Sequence, residues 1–125
     1  MAKDNAGTLL ICQPTNRFLL VKRGDGSYKG KWSTVGGKME KGESELETAK
    51  RELNEETQID PNKIDFFYFD SKIFMGKKFT LFLGICQEEF ECVLDKENVD
   101  YGWFDIDNLP DDLYPTLYTT LLDIF

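Results

Sequence analysis

The stretch from Gly36 to Gln58 constrains this chain more than any other. Ser44 is a strong helix N-cap, and Glu47 three residues later completes a capping box. Leu46, Ala49 and Leu53 then recur at helical spacing and predict a buried stripe. The helix should fade near Thr57-Gln58, and Asp60-Pro61 should stop it and start one short turn. Strand-like runs surround it. Residues 8–13 and 17–23 flank the turn-forming Pro14-Thr15-Asn16 and predict a β-hairpin. Residues 24–31 read as a loop, and 32–35 as a short strand ended by the pair Gly36-Gly37. Residues 64–69, 78–86 and 99–106 predict further strands. Pro115 fits the first turn of a closing helix whose apolar face is Tyr114, Leu117, Tyr118, Leu121 and Ile124. Strands outnumber helices, and the two helices lie far apart. The expectation is an α/β fold: a mixed β-sheet with a helix on each face, formed as one domain over residues 1–125.

The second half of the central helix carries Arg51-Glu52-Leu53-Asn54-Glu55-Glu56. Glu52, Glu55 and Glu56 stand at i, i+3 and i+4 and are neighbours on one surface. Like charges at that spacing destabilise a helix by a few tenths of a kcal/mol per pair, roughly. Acidic groups near a helix C-terminus also oppose its dipole. A Glu-rich face is commonly just solvated surface. A hard divalent cation would reverse both penalties, because carboxylate oxygens are its natural ligands.

Composition removes other chemistries. The 125 residues contain no His, which excludes Ser-His-Asp and Cys-His catalysis and His-zinc sites. Cys12, Cys86 and Cys92 lack metal-type spacing and read as reduced, mostly buried thiols. The net charge of −8 argues against binding a nucleic-acid duplex or an anionic membrane. It leaves room for a phosphorylated small molecule bridged by cations. No apolar run is long enough to span a membrane, and no secretory core follows Lys3, so the expected location is cytoplasmic.

The spacing adds a second line of inference. Gly37, five residues, Glu43, seven residues, Arg51-Glu52-Leu53, one residue, Glu55-Glu56, two residues, Ile59 resembles the signature of the Nudix hydrolases. Every fixed position matches except the last Gly, which is Gln58 here. Gly30-Lys31-Trp32, Leu20-Val21-Lys22-Arg23 and residues 97–110 are also similar to the family's flanking sections. Val35 stands where the family often has Pro. The resemblance implies an α/β/α sandwich that cleaves the diphosphate linkage of a nucleotide with Mg²⁺ or Mn²⁺. Such ions neutralise the phosphates and acidify a water.

It also implies roles. Glu52, Glu55 and Glu56 match metal-binding carboxylates, and the Gly36 carbonyl is the expected further ligand. Glu52 or Glu97 is the candidate general base. Glu43 and Arg51 match a pair that braces loop against helix. Arg23 and Lys38 are candidate phosphate contacts. Tyr28 and Trp103 are candidates to stack on a base, and Asp105 and Asn108 to read its edge, although an aromatic in a strand is more often core. The size and residues 103–110 look most like small MutT-type members. These convert a nucleoside triphosphate to the monophosphate and pyrophosphate. The alternatives are a hydrolase of dinucleoside polyphosphates, nucleotide sugars or ADP-ribose, and a non-catalytic binding module, whose sequence mark would be loss of the carboxylates. Monomer and homodimer both remain open, since residues 66–69 and 73–75 hold more aromatic and apolar side chains than one sheet face needs.

Overall fold

The computed structural model describes residues 3–125. Seven strands and two helices follow in the order β1 (Asn5–Cys12), β2 (Arg17–Arg23), β3 (Trp32–Ser33), β4 (Val35–Lys38), α1 (Glu45–Thr57), β5 (Asp65–Phe74), β6 (Lys77–Cys86), β7 (Asn98–Phe104) and α2 (Leu117–Ile124), with a 3₁₀ turn Pro61–Lys63 after α1. The strands form one mixed sheet in the order β3-β2-β1-β6-β5, with β4 added to β1 and β7 to β2. β1 runs parallel to β6 along its whole length, from Asn5↔Phe79 to Cys12↔Cys86.

The predicted β1–β2 hairpin closes at only two residue pairs, Ile11↔Phe18 and Cys12↔Arg17. Beyond them the strands splay. β4 takes the free edge of β1, from Asn5↔Lys38 to Thr8↔Val35, and β3 takes β2 at Val21↔Ser33 and Lys22↔Trp32. Gly36-Gly37 therefore continues a strand rather than ending one. Its ladder with Ala6 and Gly7 outweighs the local turn preference of two glycines.

Alternation sorts the apolar residues onto two buried faces. Leu10, Cys12, Leu19, Val21 and Val35 pack with Leu53 of α1. Leu9, Ile11, Phe18 and Leu20 pack with Leu117 and Leu121 of α2. Ala49 and Leu53 are fully buried, and Leu46 packs at the edge of that face. The mixed sheet thus carries a helix on each face.

The capping box at Ser44 and Glu47 is present in both directions. At the other end Gln58 caps α1 in the left-handed conformation, φ 61°, and its N–H donates to the Asn54 carbonyl. α2 begins at Leu117 behind Thr116, so Pro115 lies outside the helix instead of in its first turn. Tyr118 points away from the sheet and is exposed, because the buried stripe of this short helix needs only Leu117 and Leu121, with Ile124 at its edge. β5 extends to Phe74, five residues past its expected end, through its ladder with β6. Cys12 and Cys86 are buried and Cys92 half-buried, all three free. Burial pushes the Cys86 thiol up to about 12 and Cys92 to about 11, which keeps them unreactive. No helix among the described residues is long and apolar enough to cross a membrane.

Candidate active site

The C-terminal half of α1 lies against β4, and this contact builds the site. Glu52 is 8% exposed and its carboxylate fits directly over Gly37. A Cβ on Gly37 would stand 2.5 Å from the Glu52 carboxyl carbon, so only glycine allows this approach. One turn on, Glu56 is 2% exposed. Its Oε2 accepts the Gly36 N–H at 2.8 Å, and its Oε1 accepts the Asn98 side-chain amide at 2.9 Å. Asn98 opens β7 beside Glu97. Together these elements bring one carboxylate oxygen each from Glu52, Glu56 and Glu97 within 4.8 Å of one another.

Burial dominates the electrostatics. It pushes the Glu56 carboxyl up to about 8 despite the two hydrogen bonds that favour its charged form, and Glu52 adds repulsion. Burial raises Glu52 as well, opposed by Arg51. Glu97 is exposed, and no hydrogen bond or ion pair among the described residues engages its carboxylate.

Arg51 ties the surroundings together. Its guanidinium grips Glu43 through two parallel bonds, Nε to Oε2 at 2.8 Å and Nη2 to Oε1 at 3.0 Å. Nη1 donates to Glu52 at 2.9 Å and to Glu55 at 3.1 Å, and Nη2 also donates to the Lys38 carbonyl at 3.0 Å. Glu43 further accepts the Glu40 N–H and the Thr48 hydroxyl. Arg51 above all holds the Glu43 carboxyl down at about 2. The loop before α1 is thereby clamped to the helix, as a bidentate pair can do. Glu55 is exposed on the rim and bonded to Arg51. The structure leaves it outside the cluster that Glu52, Glu56 and Glu97 form.

A polar cavity opens over the cluster, and a second, apolar one adjoins it. The polar one, about 450 Å³, is lined by Lys3, Asn5, Arg23, Lys38, Arg51, Glu52 and Glu97. The other, about 230 Å³, is walled by Phe69, Phe79, Leu81, Tyr114 and Leu117, with Asn5, Arg23, Asp70 and Lys72 at its polar positions. Asn5, Arg23, Gly36 and Gly37 border both. The Asn5 Oδ1 and the Arg23 Nε are buried without a partner in the protein, so both present unused hydrogen-bonding capacity at this junction.

Of the residues expected to touch a base, the structure brings only Tyr28 near the cleft. Its ring packs on Tyr114, centroids 4.5 Å apart, one layer behind the wall. Trp103 belongs to the core on the α1 side, with its indole N–H donating to the Phe90 carbonyl at 3.0 Å. Asp105 and Asn108 form a turn held by their own side chains. β7 runs antiparallel to β2, so Asn98 meets Arg23 at the site while Phe104 meets Phe18 at the far end. Asp105 lies seven residues beyond Asn98, just past the end of β7, which at about 3.3 Å per residue puts it roughly 23 Å away. Sequence reading missed Asn98, Asn5, Tyr114 and Lys3. Only the position of Asn98 next to Glu97 offered a hint, and the others became neighbours through sheet pairing.

A profile of the NUDIX domain matches residues 1–123. The mouse oxidized purine nucleoside triphosphate hydrolase is 31% identical over 118 residues, which cover 92% of this chain and 76% of that protein. The fold is similar to a Caenorhabditis elegans Ap4A hydrolase in a binary complex, with TM-score 0.82, 18% identity, and 97% and 95% of the two chains covered. It is also similar to a MutT NUDIX hydrolase from Burkholderia pseudomallei, with TM-score 0.77, 22% identity and 98% of each chain covered. With carboxylates from α1 and from the turn before β7 gathered beside the paired glycines, this chain belongs to the NUDIX family and is a hydrolase of nucleotide pyrophosphate bonds.

Proposed function

We propose that this chain is a Mg²⁺-dependent pyrophosphohydrolase, with Mn²⁺ able to substitute, that converts a nucleoside or deoxynucleoside triphosphate to its monophosphate and pyrophosphate. The observation that carries the reading is the convergence of Glu52, Glu56 and Glu97 within 4.8 Å. Three carboxylates this close, one almost fully buried, repel each other unless a cation joins them. An all-oxygen donor set suits a hard divalent ion. Glu52 and Glu56 would hold it, with the Gly36 carbonyl as a further ligand, Glu55 on the rim and Glu97 beside them facing the bound water. When bound, such an ion neutralises phosphate charge and lowers the pKa of water.

The chain's own groups supply the remainder. Arg51 is fully engaged with carboxylates and a carbonyl, so it orients Glu52 and is not free for substrate. Arg23, Lys38 and Lys3 line the polar cavity and are the cations left to receive phosphate oxygens. Glu52 and Glu56 are held by hydrogen bonds, whereas Glu97 is exposed and unengaged. Glu97 is therefore the carboxylate of the three best placed to take a proton from the attacking water. The nucleoside would occupy the apolar cavity, with Tyr28 supporting its Tyr114 wall. The triphosphate assignment follows the mouse relative, whose name specifies a purine nucleoside triphosphate.

The test is hydrolysis over a panel of standard and oxidised triphosphates, dinucleoside polyphosphates, ADP-ribose and nucleotide sugars, with and without Mg²⁺, products resolved by chromatography. Pyrophosphate plus a monophosphate from a triphosphate is the expected pair. Two nucleotides, or a nucleotide and a sugar phosphate, would replace the substrate assignment. Binding of nucleotide without any turnover would replace the enzymatic reading with that of a binding module.

A further inference from the structure

Asn98 is one of the buried polar side chains of the described residues. It opens β7, is 5% exposed, and its backbone pairs with Arg23 at an irregularity in the β2–β7 ladder. The adjoining turn is closely fixed. Gly24 N–H donates to the Glu97 carbonyl at 2.8 Å, and a Cβ on Gly24 would collide with Val99 at 2.7 Å. The Asp95 carboxylate accepts the Glu97 N–H at 3.2 Å. This turn delivers two side chains to one place. Glu97 joins the carboxylate cluster, and the Asn98 amide donates to Glu56 Oε1 at 2.9 Å.

Glu56 is thus held at both oxygens by donors from different elements, the Gly36 N–H of β4 on one and Asn98 of β7 on the other. Each carboxylate oxygen has two lone-pair directions. One direction on each is now taken, which leaves the second on each for a cation and sets the plane of the carboxylate. Without Asn98 the group would be held at one oxygen and free to rotate about its last bond.

We infer that Asn98 is a positioning residue. It orients Glu56 as a ligand for the divalent ion through its amide N–H, and does not itself touch substrate. The inference rests on the metal-dependent reading above. Hydrogen bonds to a ligand from the surrounding shell typically set 10- to 100-fold of metal affinity.

The experiment is Mn²⁺ binding to the nucleotide-free protein by titration calorimetry, on the parent chain, Asn98→Leu and Asn98→Ala, alongside thermal unfolding without metal and steady-state kinetics at saturating metal. Leu keeps the volume and removes the donor, and Ala is the second variant should Leu fail to fold. Orientation of Glu56 by the amide predicts a Mn²⁺ dissociation constant raised roughly tenfold or more in both. It also predicts nucleotide KM within about twofold once metal saturates. Mn²⁺ affinity within about twofold of the parent in a folded variant, with only the unfolding temperature changed, would show that Asn98 is merely a structural partner and overturn the inference. Turnover and Mn²⁺ binding in the parent separate that failure from one of the broader reading. A parent that binds no Mn²⁺ overturns both.

Discussion

Glu56→Gln should make the metal-free protein more stable while it removes the activity. The Glu56 carboxyl titrates near 4.5 when unfolded and near 8 in the fold, chiefly because it is buried. Below 4.5 both states hold the proton and nothing is lost. Above it the unfolded chain ionises freely while the folded chain resists, so the fold loses about 1.4 kcal/mol of stability per pH unit up to about 8. The penalty is below about 1 kcal/mol at pH 5, about 3 kcal/mol at pH 7, and levels off near about 5 kcal/mol above pH 8. Glutamine has no charge to desolvate. Its oxygen can accept the Gly36 N–H, and a half-turn of the Asn98 amide lets that side chain accept from the new NH₂ group. Both bonds survive in altered form.

At about 3 to 4 °C per kcal/mol for a chain of this length, the variant should melt about 10 °C above the parent at pH 7 without metal, and by only a few degrees at pH 5. Calorimetric scans at pH 5, 6, 7 and 8 in chelator would measure this. Saturating Mg²⁺ should raise the parent's melting temperature and leave the variant's unchanged. A variant that is less stable than the parent at pH 7, or a gap that does not widen from pH 5 to 7, would refute the claim that a dehydrated carboxylate strains this site.

Gln58→Gly should raise stability by about 1 kcal/mol, since glycine adopts the left-handed cap without the Cβ penalty that Gln58 bears at φ 61°. Turnover should stay within a few-fold, and a large loss measured in the same preparation would mean that Gln58 reaches the substrate. Trp103→Phe should lower stability by about 1 to 3 kcal/mol through the lost bond to Phe90 and the space left in the core. Its nucleotide KM should match the parent's, and a several-fold rise in steady-state assays would restore Trp103 as a stacking residue.

What could be read from the sequence was set by range. The Ser44–Glu47 cap, the Ala49–Leu53 stripe and the helix end at Thr57 depend on neighbours within four residues, and the spacing alone located them. The Gly36-Gly37 pair was misread as a stop because its partners, Ala6 and Gly7, lie some thirty residues away and claim it for the sheet. The same long-range pairing hid the splayed hairpin. Asp105 and Asn108 failed as cleft residues for a directional reason. Asn98 and Asp105 are close in sequence, but strand β7 carries the chain straight away from the carboxylates. Family spacing pointed to Glu97, which the fold places beside Glu52 and Glu56, whereas Asn98 next to it carried no pattern, because a single hydrogen bond to a buried carboxylate leaves no periodic trace.

The two halves of α1 divide the work between stability and chemistry. Its first turn has the reciprocal cap and two acidic residues, Glu45 and Glu47, that suit the positive end of the helix dipole. Its last turns reverse this. They carry Glu52, Glu55 and Glu56, no basic residue in the final turn, and a cap held in a left-handed conformation without glycine. Such an end should fray, yet Leu53 anchors it in the core and Arg51 bonds Glu43, Glu52 and Glu55 together. Arg51 is thus the cation that permits a crowded acidic surface before any metal arrives, and its hydrogen bonds leave it unavailable to phosphate. In the proposed reading, the burden of meeting a polyanion on a chain of net charge −8 would fall on a bound cation and on Lys3, Arg23 and Lys38, which line the polar cavity. Attraction for the substrate would then be local, built by a metal on the carboxylates that would otherwise repel it.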